Sequence, residues 1–289
     1  MDDRDRELGI IPGKPVELVA VAVRRAAVRC VVISSKLPVV LRGGLFAVEG
    51  EIITVKPKKV WQFGHTINLS GDAQSIRCDV KALQLKPLAL HKLGPMNPAE
   101  DEFIQENDPF SKYYKPILER GERNVFKMEQ VIPFEDPENF ETDPIIDASE
   151  LHNAGEFFEA NEILREVLTA DLRCLDAHAH MGNWELNFTN HHNDFILEMA
   201  KRHYQVGVGI GELTLGEDFP ELLPWGIMDN RPFLRCYHGL GLALWRLGDN
   251  NRARKVFEHM LWLNPMDNQG ARFLLDAMDK GESWYDLDF

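Results

Sequence analysis

Short apolar runs separated by turn-forming residues characterise residues 16–86. The runs at 31–33, 38–41 and 51–55 are rich in Val, Ile and Leu, and glycines or Pro57 follow them at close intervals. Runs of this kind predict β-strands in a small sheet or barrel. Residues 16–31 fit neither the strand period nor the helix period cleanly, so the pattern leaves open two strands or one helix there.

Proline interrupts the next part of the chain. Eight of the sixteen prolines fall between Pro87 and Pro144, together with acidic stretches at 99–102 and 134–138. No long helix can run through such a segment, which predicts a connector. Residues 110–132 carry too many large apolar side chains for a free tether, so they should pack as short helices.

A helical period begins after Asp147 and is clearest in residues 233–265. Leu240, Gly241 and Leu244 share one face of a first helix, which Gly248 ends. Asp249 and Asn250 are good N-capping residues for a second helix, which Asn264-Pro265 stops. The pattern predicts a helical hairpin, with Gly241 admitting a neighbouring helix closely.

This hairpin resembles one tetratricopeptide repeat. The string that carries the resemblance is Tyr237, Leu240, Gly241, Leu244, Gly248, Ala253, Phe257, Leu263, Asn264 and Pro265. Weaker units are similar around Ala160 and Ala200, and a helix at 268–278 would cap the array. Ala160, Ala200 and Ala253 are 40 and 53 residues apart, where regular stacking gives about 34. The phrases at 223–226, 229–232 and 264–272 look like those of uncharacterised bacterial proteins with such repeats.

These patterns predict an α+β protein: a small β-rich N-terminal domain followed by an all-α, tetratricopeptide-like helical-hairpin domain. The predicted boundaries are residues 1–90 for the β-rich domain, 91–144 for the proline-rich connector and 145–289 for the repeats. Tetratricopeptide arrays bind peptides in a groove lined by the first helix of each hairpin. The resemblance therefore implies a non-catalytic, protein-binding scaffold or adaptor.

The predicted partner-binding groove consists of side chains on those first helices and on the capping helix. Asn would supply neutral donors and Arg a bidentate fork, a set that suits an acidic peptide or a C-terminal carboxylate. The predicted groove residues are Asn183, Asn187, Arg235, His238, Trp245, Arg246, Gln269 and Arg272.

Charge and composition limit the classes of partner that the sequence predicts. Residues 1–95 hold 15 Lys or Arg against 9 Asp or Glu, whereas residues 96–289 hold 17 against 37. An acidic remainder should repel a long polyanion, so nucleic acid is not expected as a partner. The charged N-terminus and the absence of a long apolar run predict a cytoplasmic protein with no membrane partner.

No motif indicates a cofactor, a metal or a catalytic residue. The sequence has no phosphate loop, dinucleotide fingerprint, nucleophile elbow or paired cysteines. His178 and His180 are two residues apart and would point to nearly opposite sides of a helix, and His191-His192 has no ligand pair beside it. We therefore expect no catalysis, no cofactor and no metal site.

A second hypothesis concerns the basic N-terminal part. Arg25 and Arg29, followed by Asn68 and Ser70, are similar to the signature of PilZ domains, β-barrels that bind cyclic di-GMP, although Ala73 stands where that family has glycine. The resemblance implies that arginines clamp phosphates. The alternative function is then a nucleotide or nucleic-acid sensor in which the β-domain binds the ligand and the repeats relay the signal.

Overall fold

The computed structural model describes residues 10–100, 109–136, 138–187, 193–216 and 218–286. The chain divides into two compact units. The first comprises Met1–Lys86 and Ile132–Ala177, and the second comprises Pro87–Val131 and His178–Phe289. The mixed α+β class predicted from the sequence is confirmed.

A closed five-stranded barrel forms the N-terminal part of the first unit. Its strand order is β1-β2-β3-β5-β4, with β1 closing against β4. The β3–β5 pair is parallel, and the other pairs are antiparallel. The strands are β1 (Val16–Arg24), β2 (Ala27–Val32), β3 (Pro38–Arg42), β4 (Ile52–Phe63) and β5 (Thr66–Arg77). Residues 16–31 thus form two strands joined by a turn at Arg25-Ala26, and not the single helix that the sequence pattern also allowed.

The barrel interior is filled by alternate residues of its strands. Leu18, Val28, Leu41, Ile53 and Leu69 are fully or almost fully buried there. Because side chains alternate along a strand, the residues between them face outward. The inside is a packed core, and any ligand surface must lie on the outside.

A helical hairpin packs against β1 in the same unit. It consists of α3 (Pro144–Asn153) and α4 (Phe157–Ala170), which follow the short α1 (Val80–Leu83) and α2 (Ser111–Arg120) along the chain. Arg24 on β1 donates to Glu162 on α4 through Nε at 2.8 Å. The Thr169 hydroxyl lies 3.2 Å from the Val21 carbonyl oxygen and 2.8 Å from that of Arg165. These contacts fix the end of α4 beside the barrel wall.

The second unit combines a two-stranded sheet with consecutive packed helices. The sheet is β6 (Leu90–Met96) with β7 (Arg123–Met128), in antiparallel register. The helices are α5 (Leu175–Asn187), whose first residues fall in the first unit, α6 (Asp194–Leu215), α7 (Arg231–Arg246), α8 (Asn250–Leu263) and α9 (Ala271–Asp279). Helix α7 packs against both α6 and α8, and α9 packs against α8.

Small residues allow these helices to approach closely around Tyr204 of α6. A Cβ atom at Gly182 of α5 would lie 2.6 Å from Cε1 of Tyr204, and one at Gly239 of α7 would overlap the same ring. The Tyr204 hydroxyl donates to Oδ1 of Asn183 at 2.6 Å, so this fully buried side chain has a polar partner. Tyr204 therefore joins three successive helices.

The two units divide the chain differently from the predicted domains. The α3–α4 hairpin, which was expected to begin the repeat domain, packs with the barrel. The expected connector contributes β6, α2 and β7 to the second unit, where the Asn230 amide accepts from the Met128 N–H at 2.8 Å and donates to the Phe126 carbonyl at 3.0 Å. The predicted boundaries follow chain order, whereas packing joins segments that are distant in sequence. No helix in the described part of the chain has the length and apolar character needed to cross a bilayer.

Candidate functional site

The predicted groove residues near the end of α7 are not surface residues. Trp245 is 3% exposed and Arg246 is 8% exposed. Nη1 of Arg246 donates to the Leu186 carbonyl oxygen at 3.0 Å, and its guanidinium lies 5.7 Å from the Trp284 ring centre. Both side chains pack inside the second unit, so their assignment to an open groove is corrected. The helical period placed them on α7 but could not show that 284–285 cover them.

Three more predicted groove residues are engaged within the protein. Asn183 accepts from Tyr204, and Gln269 donates to the Leu234 carbonyl oxygen at 3.2 Å. Nη1 of Arg272 lies 3.0 Å from the Tyr114 hydroxyl and 3.2 Å from Oδ2 of Asp267. These side chains are partly exposed, but each already makes at least one hydrogen bond within the protein.

The remaining three predicted residues differ in exposure. Asn187 is exposed and Arg235 is partly exposed, with its guanidinium 5.8 Å from the Trp225 ring centre. His238 lies against Phe257, and burial lowers the pKa of its imidazole from 6.5 to about 4. The eight residues therefore do not form one solvent-facing set.

His178, Cys30 and Cys174 are buried in the part of the chain that the structure describes. His178 is fully buried, His191 and His192 lie outside the described residues, and no group of metal-ligating side chains is found among the described ones. Burial raises the pKa of the Cys30 and Cys174 thiols to about 12. Thiols with such a high pKa are poor nucleophiles.

The outward-facing residues of four barrel strands form a different kind of surface. Strand register aligns Arg29 of β2, Val40 of β3, Asn68 of β5 and Trp61 of β4 in one row. Arg42 and Lys59 lie two residues along their strands from this row, opposite Ala27 and Ser70 respectively, and Phe63 lies opposite Thr66. Side chains two residues apart lie on the same side of a strand, so all of these belong to the outer side of the barrel wall along β2, β3, β5 and β4, which we call the barrel face.

The barrel face is basic and aromatic. Arg29, Arg42 and Lys59 are exposed, and Phe63 is 80% exposed. Trp61 is partly exposed, with the Lys59 ammonium 5.9 Å from its ring centre. Among the described residues, Arg29 and Lys59 form no ion pair, so their charges face solvent.

A buried polar contact positions one of these cations. Nε of Arg42 donates to Oδ1 of Asn68 at 2.8 Å, and Nδ2 of Asn68 donates to the Thr66 carbonyl oxygen at 3.1 Å. Asn68 is 1% exposed, so its amide is held in one orientation under the surface. Arg42 is therefore anchored through Nε, although the residue is exposed.

The acidic groups of the barrel do not neutralise this face. Residues 16–77 hold nine Lys or Arg against four Asp or Glu, and two of the four, Glu49 and Glu51, are buried. Glu49 accepts from the Val23 N–H at 2.8 Å and lies 3.5 Å from Nε of Arg165; burial raises its pKa and Arg165 opposes the rise. Of the other two, Glu17 pairs with Arg77 and Asp72 with Lys58. A positive surface therefore persists despite the chain's net charge of −14.

A cavity of about 530 Å³ opens beside the barrel face. Its apolar wall comes from valines of β1, β2 and β3, and its rim carries polar side chains from the β4–β5 turn and from α4. The lining residues include Val21, Arg29, Val31, Pro38, Val40, His65, Thr66 and Thr169.

The residues of the PilZ-like signature lie partly on this same surface. Arg25 is in the β1–β2 turn, Arg29 is on the barrel face, and Asn68 lies in its row with Val40 between them. Sequence reasoning missed Arg42, Lys59, Trp61 and Phe63. The signal was present in residues 59–63, where Lys, Trp and Phe alternate with Val and Gln, a strand pattern that places all three on one face.

No protein-family model, curated protein or solved structure matches this chain.

Proposed function

We propose that this protein is a non-catalytic binding protein that holds a single-stranded nucleic acid on its barrel face. The observation that carries the proposal is the placement of Trp61, Phe63 and three cations on the outer side of neighbouring barrel strands. Proteins that bind single strands combine aromatic platforms for the bases with positive charge for the backbone.

The spacing of the aromatic residues suits consecutive bases. Trp61 and Phe63 are two residues apart on β4, so they project from the same face roughly 7 Å apart. That distance matches an extended strand whose bases are unstacked from each other. Each base stacked on an aromatic ring contributes about 1–3 kcal/mol, with little dependence on sequence.

The cations favour a phosphate backbone over an uncharged ligand. Arg29, Arg42 and Lys59 come from three different strands, so they span the face and do not form a single cluster. The sequence-based argument against nucleic acid summed charge over ranges of the chain. Binding depends on the local field, and the four strands of the barrel face lie within residues 16–77, which hold nine Lys or Arg against four Asp or Glu.

The strand order of the barrel supports the proposed function only by analogy with other five-stranded barrels. Five-stranded Greek-key barrels include the OB barrels, in which the parallel pair joins β3 and β5 as it does here. OB barrels bind oligonucleotides or oligosaccharides on the face of strands 2 and 3 and in adjoining loops. Topology does not imply function, so the residues of the face carry the argument.

Fluorescence anisotropy with labelled oligonucleotides tests this proposal on the full chain. We expect a single strand of about 12 nucleotides to bind, and the same sequence as a duplex to bind much more weakly. Trp61→Ala with Phe63→Ala should weaken single-strand binding at least about tenfold, since two stacking platforms are lost. The matched control is Phe157→Ala with Phe158→Ala, two exposed aromatic residues on α4, which should bind like the parent. Equal binding by both double variants would refute the proposal.

A second proposal retains the scaffold function for the helical part of the second unit. Here α5–α9 are tetratricopeptide-like repeats that bind an acidic peptide, and the supporting observation is a pair of arginines on one indole. The guanidinium groups of Arg231 and Arg235 lie 5.2 Å and 5.8 Å from the Trp225 ring centre. Pull-down with the full chain and with Arg231→Ala/Arg235→Ala separates the proposals, because this variant should lose an acidic peptide partner and keep oligonucleotide binding.

A further inference from the structure

The cavity beside the barrel face has the chemistry of a small-ligand site. Its volume of about 530 Å³ falls in the usual range for small-molecule pockets. The partly buried Val21, Val31 and Val40 supply an apolar floor, and the exposed Pro38 supplies part of the wall. Such a surface suits the flat face of an aromatic heterocycle.

Polar groups stand at the cavity rim. The exposed His65 comes from the turn between β4 and β5, the exposed Thr66 begins β5, and Arg29 comes from β2. A heterocycle lying on the valine floor can place its edge against the threonine hydroxyls, which both donate and accept hydrogen bonds. Arg29 stands beside it as a cation for a phosphate.

Helix α4 closes the opposite side of the cavity. Thr169 is held there by its hydroxyl, which lies within hydrogen-bond distance of the Val21 and Arg165 carbonyl oxygens. Its oxygen retains capacity to accept from a ligand amino group. This wall belongs to the helical hairpin and not to the barrel, so it would be absent from the barrel alone.

The cavity is also continuous with the barrel face, because Arg29 and Val40 belong to both. A strand lying on the face would therefore pass its opening. We infer that the cavity receives one unstacked nucleobase of the bound strand, with Arg29 on the adjoining phosphate. This inference rests on the proposed nucleic-acid function and adds a separate base-binding site to it.

Strands that carry a single base test the inference. A short oligonucleotide backbone without bases is compared with the same backbone bearing one adenine, by competition against the labelled oligonucleotide. The gain in affinity from that one base is measured in Trp61→Ala/Phe63→Ala, where stacking on the face is removed. We expect a gain of at least about fivefold there, the lower limit of a stacking contribution. Adding Val31→Phe, which fills the cavity, should abolish the gain.

The outcomes distinguish a failure of the cavity inference from a failure of the barrel-face function. If ordinary single strands bind the parent but one base gives no gain in Trp61→Ala/Phe63→Ala, or if the gain survives Val31→Phe, the cavity inference is wrong and the barrel-face function stands. If no single strand binds the parent protein, both proposals fail. Thermal melting monitors folding of the Val31→Phe variant, and Val31→Leu replaces it if the larger side chain prevents folding.

Discussion

Gly241 of α7 lies directly against the ring of Phe257 on α8. A Cβ atom at Gly241 would be 2.9 Å from Cζ of that ring and nearer still to Cε1, so only glycine fits without rearrangement. The sequence pattern predicted a close helix approach at this position, and the packing confirms it. The contact holds together the clearest helical hairpin of the second unit.

Gly241→Leu should therefore destabilise the second unit. Overpacking of a tight contact costs about 1–3 kcal/mol, and a fully buried ring on the opposite helix leaves little room to relax. We expect a loss of about 2 kcal/mol or more in urea unfolding monitored by circular dichroism. Gly226→Leu is the control, because nothing lies within 4 Å of a Cβ atom at Gly226. Equal stability of the two variants would contradict the packing described.

Arg246→Ala should destabilise the fold rather than leave it unchanged. The substitution leaves the Leu186 carbonyl oxygen without its guanidinium partner and removes a cation stacked near Trp284. A buried acceptor that loses its partner costs about 1–3 kcal/mol. Arg235→Ala, at a partly exposed position, should cost less than about 1 kcal/mol. Chemical denaturation compares the two, and an Arg246→Ala variant as stable as Arg235→Ala would show that Arg246 is not a structural residue.

His238 should make stability fall in mild acid. Burial lowers its pKa from 6.5 to about 4, so the unfolded chain binds a proton more readily than the folded one. The contribution of neutral His238 to the free energy of unfolding is fully present above pH 6.5 and is lost as the pH falls from 6.5 toward 4. About 2 kcal/mol of this stability is lost by pH 5. His238→Leu removes this titration. We expect the stability difference between pH 7 and pH 5 to be smaller in the variant, and identical pH profiles would show that His238 does not titrate as described.

The sequence pattern was sufficient to predict features that depend on residues close together in the chain. The strands that contain residues 31–33, 38–41 and 51–55 follow from runs rich in β-branched residues. The α7–α8 hairpin follows from apolar period and from capping residues such as Asp249, whose side chain accepts from the Arg252 N–H. These interactions span only a few residues. The sequence displays them directly.

Features that depend on distant segments could not be predicted. No residue near Arg246 in the sequence indicates that the Leu186 carbonyl oxygen, 60 residues away, accepts from its guanidinium. The position of Arg246 on its helix therefore gave a wrong expectation of exposure. The barrel face is likewise a product of register, since Arg29 and Trp61 share a row only because β3 and β5 pair in parallel between them. One sequence does not specify that pairing.

The salt dependence of single-strand binding tests the central claim most directly. Each phosphate neutralised on a single strand contributes about −0.7 to the slope of log K against log salt. Replacing Arg29, Arg42 and Lys59 together by Gln should therefore make the slope shallower by about 2 between roughly 50 and 200 mM salt. The control variant likewise replaces by Gln three exposed cations outside the barrel face, Lys14, Lys81 and Lys86. Its slope of log K against log salt should equal that of the parent protein. A barrel-face variant with the parent slope, or a parent protein that binds no single strand, would contradict the account.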